Sequence, residues 1–136
     1  MFRSISVILS AMLLTGFLAS CTSSTSGGAT FSYSGTWSGP INDSLGGPGT
    51  ITTTLSQSGS NLVGTWQAVF TEGGNNGGTL AGVISGNEVL IELYPSDPSS
   101  CPFAVVAQRS GSTISGTYAA FNCVIAITGT VSVTKQ

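Results

Sequence analysis

Apolar and polar residues alternate with a period of two along most of the chain after residue 31. In the clearest segment, Leu62, Trp66 and Phe70 fall on one face, and Thr65 and Gln67 fall on the other. Glycines interrupt the pattern at short intervals, and no segment has the apolar spacing of an amphipathic helix. This alternation predicts eight short strands, each with one buried and one solvated face, in an antiparallel sheet.

The inward faces of the predicted strands share large apolar side chains, with an occasional glycine. In chain order the eight sets are Phe31, Tyr33, Gly35 and Trp37; Ile51 and Leu55; Leu62, Gly64, Trp66, Ala68 and Phe70; Leu80 and Ile84; Val89, Ile91 and Leu93; Phe103, Val105 and Ala107; Ile114, Gly116 and Tyr118; and Ile125, Ile127, Val131 and Val133. An eight-stranded barrel is just wide enough inside to hold its own side chains. We therefore expect Trp37, Trp66 and Tyr118 to serve mainly as core residues.

The connections between the predicted strands alternate in length. The short ones span residues 58–61, 85–87 and 110–113. The longer ones span residues 40–49, 72–78 and 95–102, with a briefer one near Asn122. Since alternate connections of a meander share one end, we predict an all-β, eight-stranded antiparallel up-and-down β-barrel with tight turns at one end, the floor, and loops at the other, the mouth. A two-sheet β-sandwich is the alternative, less favoured because it leaves sheet edges open.

A nine-residue pattern occurs twice in the predicted barrel. Ser-Gly-Ser-Asn-Leu-Val-Gly-Thr-Trp at 58–66 is followed by Ser-Gly-Ser-Thr-Ile-Ser-Gly-Thr-Tyr at 110–118. Both copies contain a hairpin turn and end on an inward aromatic residue, Trp66 or Tyr118. A duplicated or convergent four-strand unit explains the repeat.

The first 21 residues have the layout of a secretory signal. Arg3 gives a positive start, residues 5–18 are nearly all apolar or small, and Leu-Ala-Ser-Cys ends at Cys21. That tetrapeptide resembles the lipobox of bacterial lipoproteins, which implies removal of residues 1–20 and acylation of Cys21. A plain signal peptide with a chance cysteine is the alternative. A single transmembrane anchor is less favoured, because the apolar stretch is shorter than the ~20 residues that cross a bilayer.

Residues 21–30 are small and polar, which predicts a flexible, lipidated tether before a barrel domain at 31–136. The lipid would make the membrane a partner of the chain. By the sorting rule of the lipoprotein family, Thr22 after the cysteine implies the outer membrane of a bacterial cell envelope. An even strand number puts both ends of the domain at the floor, so we expect the mouth to face away from the membrane.

The part of the chain after Cys21 has few charges, and most are acidic. Only Arg109 and Lys135 oppose five carboxylates there. Two separated basic residues cannot form the positive surface that nucleic acids require, which excludes that class of partner. Arg109, near the predicted floor, is expected to pair with a carboxylate such as Glu88.

Histidine is absent from the sequence. This removes the usual general base of Ser-His and Cys-His nucleophiles and a common ligand of zinc and copper. Glu88 and Glu92 fall on a predicted outward face, where they do not form the paired carboxylates of a glycosidase. We therefore predict no enzymatic activity, no catalytic residue, no metal site and no cofactor.

Three cysteines occur in the sequence. With Cys21 acylated, Cys101 and Cys123 remain, and in an oxidising compartment an even pair predicts one disulfide. Both cysteines enter their predicted strands from the mouth, so the bridge is geometrically possible. A free thiol is the alternative, but no base or cationic cluster lies nearby in the sequence to lower its pKa.

Gly-Thr-Trp occurs at 35–37 and again at 64–66, with Asn-Asp-Ser-Leu-Gly between them at 42–46. This order resembles the opening of avidin-type biotin-binding barrels, and it is similar to the Gly-x-Trp start of the wider calycin group, which includes lipocalins. The resemblance implies a β-barrel with Asn42, Ser44 and Trp66 as ligand contacts, and inward Tyr118 is added to them. The later ligand-stacking tryptophans of avidins have no counterpart here, so biotin itself is not implied.

The preferred function is a non-enzymatic, lipid-anchored envelope protein that binds a small neutral or apolar ligand, or a partner, at the barrel mouth. The alternatives are a lipoprotein that inhibits lysozymes or proteases through its loops, and a structural envelope component. A pocket of several hundred Å³ lined by Trp66 and Tyr118 would favour the small ligand. A filled interior would argue against a small ligand and move the site to the mouth loops.

Overall fold

The computed structural model of the chain describes residues 30–136. The predicted signal peptide at 1–20, the lipidation site Cys21 and all but the last residue of the predicted tether lie outside the described residues. The strands are β1 Gly35–Asp43, β2 Gly47–Ser58, β3 Asn61–Phe70, β4 Gly74–Ser85, β5 Glu88–Pro95, β6 Phe103–Ser110, β7 Thr113–Ala120 and β8 Thr128–Lys135. Sequence neighbours pair antiparallel, and β8 closes the sheet on β1. The eight-stranded up-and-down barrel is therefore confirmed, and the two-sheet sandwich is wrong.

Tight turns close the floor of the barrel, as predicted. They lie at residues 59–60, 86–87 and 111–112. Each begins with a glycine whose φ is close to +60°, namely 61°, 61° and 59°. Two-residue hairpins need this left-handed conformation, which glycine adopts without strain. The connections at the mouth span residues 44–46, 71–73, 96–102 and 121–127.

The predicted loop at 40–49 is wrong, because β1 continues through Pro40 and only residues 44–46 remain outside the strands. Proline lacks an N–H and interrupts a ladder on one side only. Accordingly, Pro40 pairs with Thr50 of β2, whereas the register between β1 and β8 skips Gly39 and Pro40. Pro40, which predicts the end of the first strand, therefore lies inside β1.

The predicted loop at 72–78 is also too long. Residues 74–78, which are only glycine and asparagine, pair with β3 and leave residues 71–73 as the connection. Such residues have low β-propensity, so their pairing depends on the neighbouring strand and is not visible in the local sequence. The predicted loop at 95–102 agrees with the structure to within one residue, at 96–102.

The segment before β1, residues 31–34, crosses the floor instead of extending the first strand as predicted. Gly35 has a φ of +131°, which bends the chain where β1 begins. Tyr33 is 3% exposed, and its carbonyl accepts a hydrogen bond from Trp37 Nε1–H at 2.8 Å. Residues 31–34, which we call the floor segment, therefore cover this end of the barrel.

Arg109 holds the floor segment in place. Its guanidinium carbon lies 4.1 Å from the centroid of the Phe31 ring, a distance at which cation and ring attract. Its Nε–H donates to the Tyr33 hydroxyl at 3.1 Å, and a terminal nitrogen donates to Asn87 Oδ1 at 3.1 Å. The predicted partner Glu88 is therefore wrong, since the neighbouring Asn87 takes that position.

The disulfide between Cys101 and Cys123 is confirmed, with Cα atoms 5.6 Å apart. It joins the two longest mouth connections. The chain leaves the ladder after Ala120 and returns where the Ala120 N–H donates to the Ile127 carbonyl at 2.8 Å. Ile125, predicted to face inward in the last strand, lies on this excursion and is 58% exposed, so that prediction is wrong.

The barrel interior is packed with apolar side chains. Trp37, Leu62 and Val89 are the largest fully buried ones, and burial of each contributes about 1.5–3 kcal/mol or more. Thr53 is the one buried polar residue described between 30 and 136, and its hydroxyl donates to the Thr65 carbonyl at 3.0 Å. Only about 50 Å³ of the interior stays empty, too little for an organic ligand.

Candidate functional site

A cavity of about 250 Å³ opens at the mouth, above the packed interior. We call it the cup. Every mouth connection contributes at least one residue to its lining. Its base is formed by four side chains that also border the small interior space, namely Ile41, Trp66, Leu93 and Tyr118. The cup is therefore a depression on top of the core, closed below by the core itself.

Aromatic rings form much of the cup lining. Trp66 and Phe70 lie four residues apart on the inward face of β3, Phe103 begins β6, and Tyr118 comes from β7. The rings of Phe103 and Tyr118 meet edge to face, with centroids 5.6 Å apart. Trp66 Nε1–H donates to the Thr79 carbonyl at 3.0 Å. Trp66, Phe103 and Tyr118 are buried, so packing fixes these rings in the absence of a ligand.

Asp43, the last residue of β1, supplies the one carboxylate in the cup lining. Its Oδ1 accepts the backbone N–H groups of Leu45 and Gly46 at 2.9 and 2.8 Å, an arrangement that fixes the tight connection after β1. Its Oδ2 accepts the Tyr118 hydroxyl at 2.7 Å. Burial, followed by this hydrogen bond and the nearby charge of Asp43, raises the pKa of Tyr118. The phenol therefore remains a proton donor to the carboxylate.

The sequence repeat has a structural role at the cup. Its two copies deliver Trp66 and Tyr118 to the base, each two residues after a glycine, Gly64 or Gly116. A Cβ at these glycines would lie 1.9 or 2.1 Å from a carbonyl oxygen of the adjacent strand. The missing side chains thus allow close strand approach next to both aromatic residues.

Two of the four predicted ligand residues, Trp66 and Tyr118, line the cup, and two do not. Asn42 follows inward Ile41, so its side chain is exposed on the outer wall. Ser44 is also exposed, and its hydroxyl accepts the Thr128 N–H at 3.1 Å. Ser44 therefore joins the first mouth connection to β8. The predicted roles of Asn42 and Ser44 as ligand contacts do not fit this cup.

The sequence reasoning missed Asp43 and the polar part of the lining. The predicted first strand ends before Pro40. The alternation of inward and outward residues in the folded β1 continues past it and puts Ile41 and then Asp43 on the inward face. Asn76 and Ser100, both half-buried in the lining, lie in segments assigned to loops. Their neighbouring residues give no periodic signal of direction, so only the folded chain identifies them.

The outer wall carries a second apolar region. Val83, Leu90 and Val106 lie opposite one another across β4, β5 and β6, and all three are exposed. The surface around them is aliphatic apart from Asn61 and Glu92. Binding sites for small molecules combine apolar walls with several converging polar groups, so the cup is the better candidate.

Within residues 30–136, no three His, Cys, Asp or Glu side chains come close enough together to hold a metal ion. The same part of the chain has no helix that is long and apolar enough to cross a bilayer. No protein-family profile matches the sequence, and no curated protein matches it significantly.

Proposed function

We propose that this chain is a non-enzymatic binding protein of the bacterial cell envelope that holds a small ligand in the cup at its mouth. The observation that carries the proposal is the cup itself, a cavity of about 250 Å³ with four aromatic residues and one carboxylate in its lining. A cavity of about 150 Å³ holds a benzene molecule, so the cup suits a ligand of one ring or similar size.

The groups in the cup favour binding over catalysis. A general acid or base needs a proton that it can exchange near neutral pH. Tyr118 has a raised pKa, and Asp43 accepts three hydrogen bonds from within the chain. Neither group has a histidine to work with, because the sequence contains none. The polar groups therefore orient a ligand and leave it unchanged.

Two tryptophan substitutions in one mouth connection test the proposal. Ser100 lines the cup, whereas its neighbour Ser99 is exposed and does not. We expect native mass spectrometry of the full-length chain to detect a co-purifying small molecule, or a fragment screen by NMR to find one. Ser100→Trp should abolish that binding, and Ser99→Trp should retain it. Binding that survives Ser100→Trp, or no bound molecule in either experiment, would contradict the proposal.

The second part of the proposal is lipid attachment at Cys21, which rests on the lipobox-like sequence. Acylation would hold the chain at the outer membrane with the mouth turned away from it. Mass spectrometry of the N-terminal peptide should show an acylated Cys21, and Cys21→Ser should move the protein from the detergent phase to the aqueous phase. An unmodified Cys21 in the wild-type chain would rule out this attachment.

The mouth also supports a second candidate function, the capture or inhibition of a protein partner. Leu45, Val124 and Ile125 are exposed apolar residues on two mouth connections, and exposed apolar groups of this kind often contact partners. Inhibition of lysozymes and proteases by the wild-type chain, lost in a Val124→Ser/Ile125→Ser variant, would favour this function. Retained inhibition would place the contact elsewhere.

A further inference from the structure

We infer that the cup selects a small organic cation of the methylated or quaternary ammonium class over neutral or anionic molecules of the same shape. The inference rests on the proposed small-ligand function and adds the chemistry of the ligand. It departs from the expectation of a neutral or apolar ligand, which followed from the few charges of the whole chain rather than from the charge of the site.

The aromatic lining is the first reason. The negative face of an aromatic ring attracts a cation, most strongly where water is excluded. Trp66, Phe70, Phe103 and Tyr118 all line the same 250 Å³ cavity. Recognition of quaternary ammonium groups uses such aromatic cages, because methylated cations need few hydrogen-bond acceptors. The cup combines four such rings with a smaller polar part, formed by Asp43, two asparagines and Ser100.

The charge of the lining is the second reason. Among the described residues that line the cup, Asp43 is the one that carries a charge. Its position is fixed, because it accepts hydrogen bonds from Leu45, Gly46 and Tyr118. An anion in the cup would be close to this carboxylate, and the described lining has no basic side chain to compensate. A cation would instead be attracted to the carboxylate. A carboxylate beside aromatic rings therefore favours positive ligands.

The charges at the two ends of the barrel also favour a cation at the mouth. Asp43, Glu72 and Asp97 lie on β1 or the mouth connections. The two basic residues of the described chain lie at the floor, where Arg109 and Lys135 both contact the Phe31 ring. A cleft whose surroundings carry one sign of charge raises the local concentration of ions of the opposite sign. Approach of a cation to the mouth is thus favoured over its approach to the floor.

A pair of probes with the same shape isolates the effect of charge. Choline carries a quaternary ammonium, and 3,3-dimethylbutan-1-ol has a carbon atom in its place. We expect calorimetric titration of the full-length chain, in a non-ionic detergent at low salt, to give at least about tenfold tighter binding of choline than of the alcohol. Added salt should weaken choline binding only.

Matched variants identify the site. Asp43→Asn removes the charge but keeps one oxygen to accept the Leu45 and Gly46 N–H groups. It should weaken choline binding at least about tenfold while sparing the alcohol. Glu88→Gln removes the same charge at the floor and should leave both unchanged. Phe70→Leu, on a half-buried residue, provides a second variant if Asp43→Asn unfolds, and it should weaken choline more than the alcohol.

The outcomes separate the two proposals. Equal affinities for choline and the alcohol, or choline binding that is unaffected by Asp43→Asn and Phe70→Leu, would overturn the selection of cations and leave the small-ligand function in place. The same holds if neither probe binds but a neutral molecule occupies the cup and is displaced by Ser100→Trp. Failure of every small molecule to bind would overturn both proposals.

Discussion

Both ends of the barrel are rich in aromatic rings, but only at the mouth do the rings line a cavity. At the floor, Phe31 and Tyr33 pack over Trp37, whose indole is completely buried. At the mouth, no segment within residues 30–136 fills the space above Trp66 and Tyr118, and a cavity remains there. Aromatic residues alone therefore do not define a ligand site. The presence of a covering segment decides whether the same chemistry forms a core or a cup.

The two ends also differ in the charge that accompanies the rings. At the floor, Arg109 and Lys135 lie beside the Phe31 ring, at 4.1 and 5.4 Å from its centroid, so the chain supplies its own cations. At the mouth, Asp43 lines the cup together with the rings, and none of the lining residues between 30 and 136 is basic. At the floor, an aromatic ring thus contacts cations of the same chain. At the mouth, we propose that aromatic rings contact a cation from outside the chain.

The largest difference between the two ends should appear in stability. Trp37→Ala removes a fully buried indole and its hydrogen bond to Tyr33, and should lower the free energy of unfolding by about 3–5 kcal/mol. Phe70→Ala at the cup, where the ring is half-buried, should lower it much less. Urea denaturation followed by circular dichroism measures both. Equal losses would show that the mouth rings are as structural as those at the floor.

The mouth nevertheless depends on its disulfide. The bridge closes a loop with a sequence separation of 22 residues, and loss of such a crosslink costs about 3 kcal/mol on the chain-entropy account. We expect this loss from the Cys101→Ser/Cys123→Ser variant, measured by the same denaturation. A reductant should destabilise the wild-type chain equally and leave the variant unaffected. A variant as stable as the oxidised wild type would contradict the role of the bridge.

The floor segment should depend on Arg109 more than on Lys135. Arg109→Met keeps an apolar stem but loses the contact with the Phe31 ring and the hydrogen bonds to Tyr33 and Asn87. A loss of about 1–2 kcal/mol is expected. Lys135→Met loses a longer ring contact and one hydrogen bond to the Ser32 carbonyl, so the expected loss is smaller. The reverse order would mean that Lys135 is the main contact holding the segment.

Much of the barrel could be predicted because inward and outward residues alternate along each strand. The alternation at Leu62, Trp66 and Ala68 predicts β3 correctly, and the glycine turns predict the floor. The cup could be predicted only in part. Trp66 and Tyr118 follow the alternation, but Asp43 lies beyond a proline that resembles a strand end. The position of Asp43 depends on the pairing of β1 with β2 and β8. The local sequence pattern gives no information on this pairing.

The smallest expected effect concerns the Tyr118–Asp43 hydrogen bond and appears at high pH. In the unfolded chain Tyr118 titrates near its ordinary pKa of 10.0, whereas in the folded chain burial and Asp43 raise the pKa. Above pH 10 the unfolded state therefore loses the phenolic proton first, and the stability that this group contributes below pH 10 declines as the pH rises. The decline is up to about 1 kcal/mol per pH unit for one group.

Tyr118→Phe removes this titration and should flatten the fall in unfolding free energy between about pH 10 and about pH 11. Denaturation of both chains at several pH values measures the difference, and the other tyrosines titrate equally in both. Tyr33→Phe at the floor is the matched control, because that hydroxyl accepts from Arg109 and faces no carboxylate partner. If the unfolding free energy of Tyr118→Phe falls with pH as steeply as that of the wild type, the Tyr118 phenol ionises in the folded chain as it does in water. The Asp43 carboxylate would then be available to a ligand without a hydrogen bond from Tyr118 to be broken first.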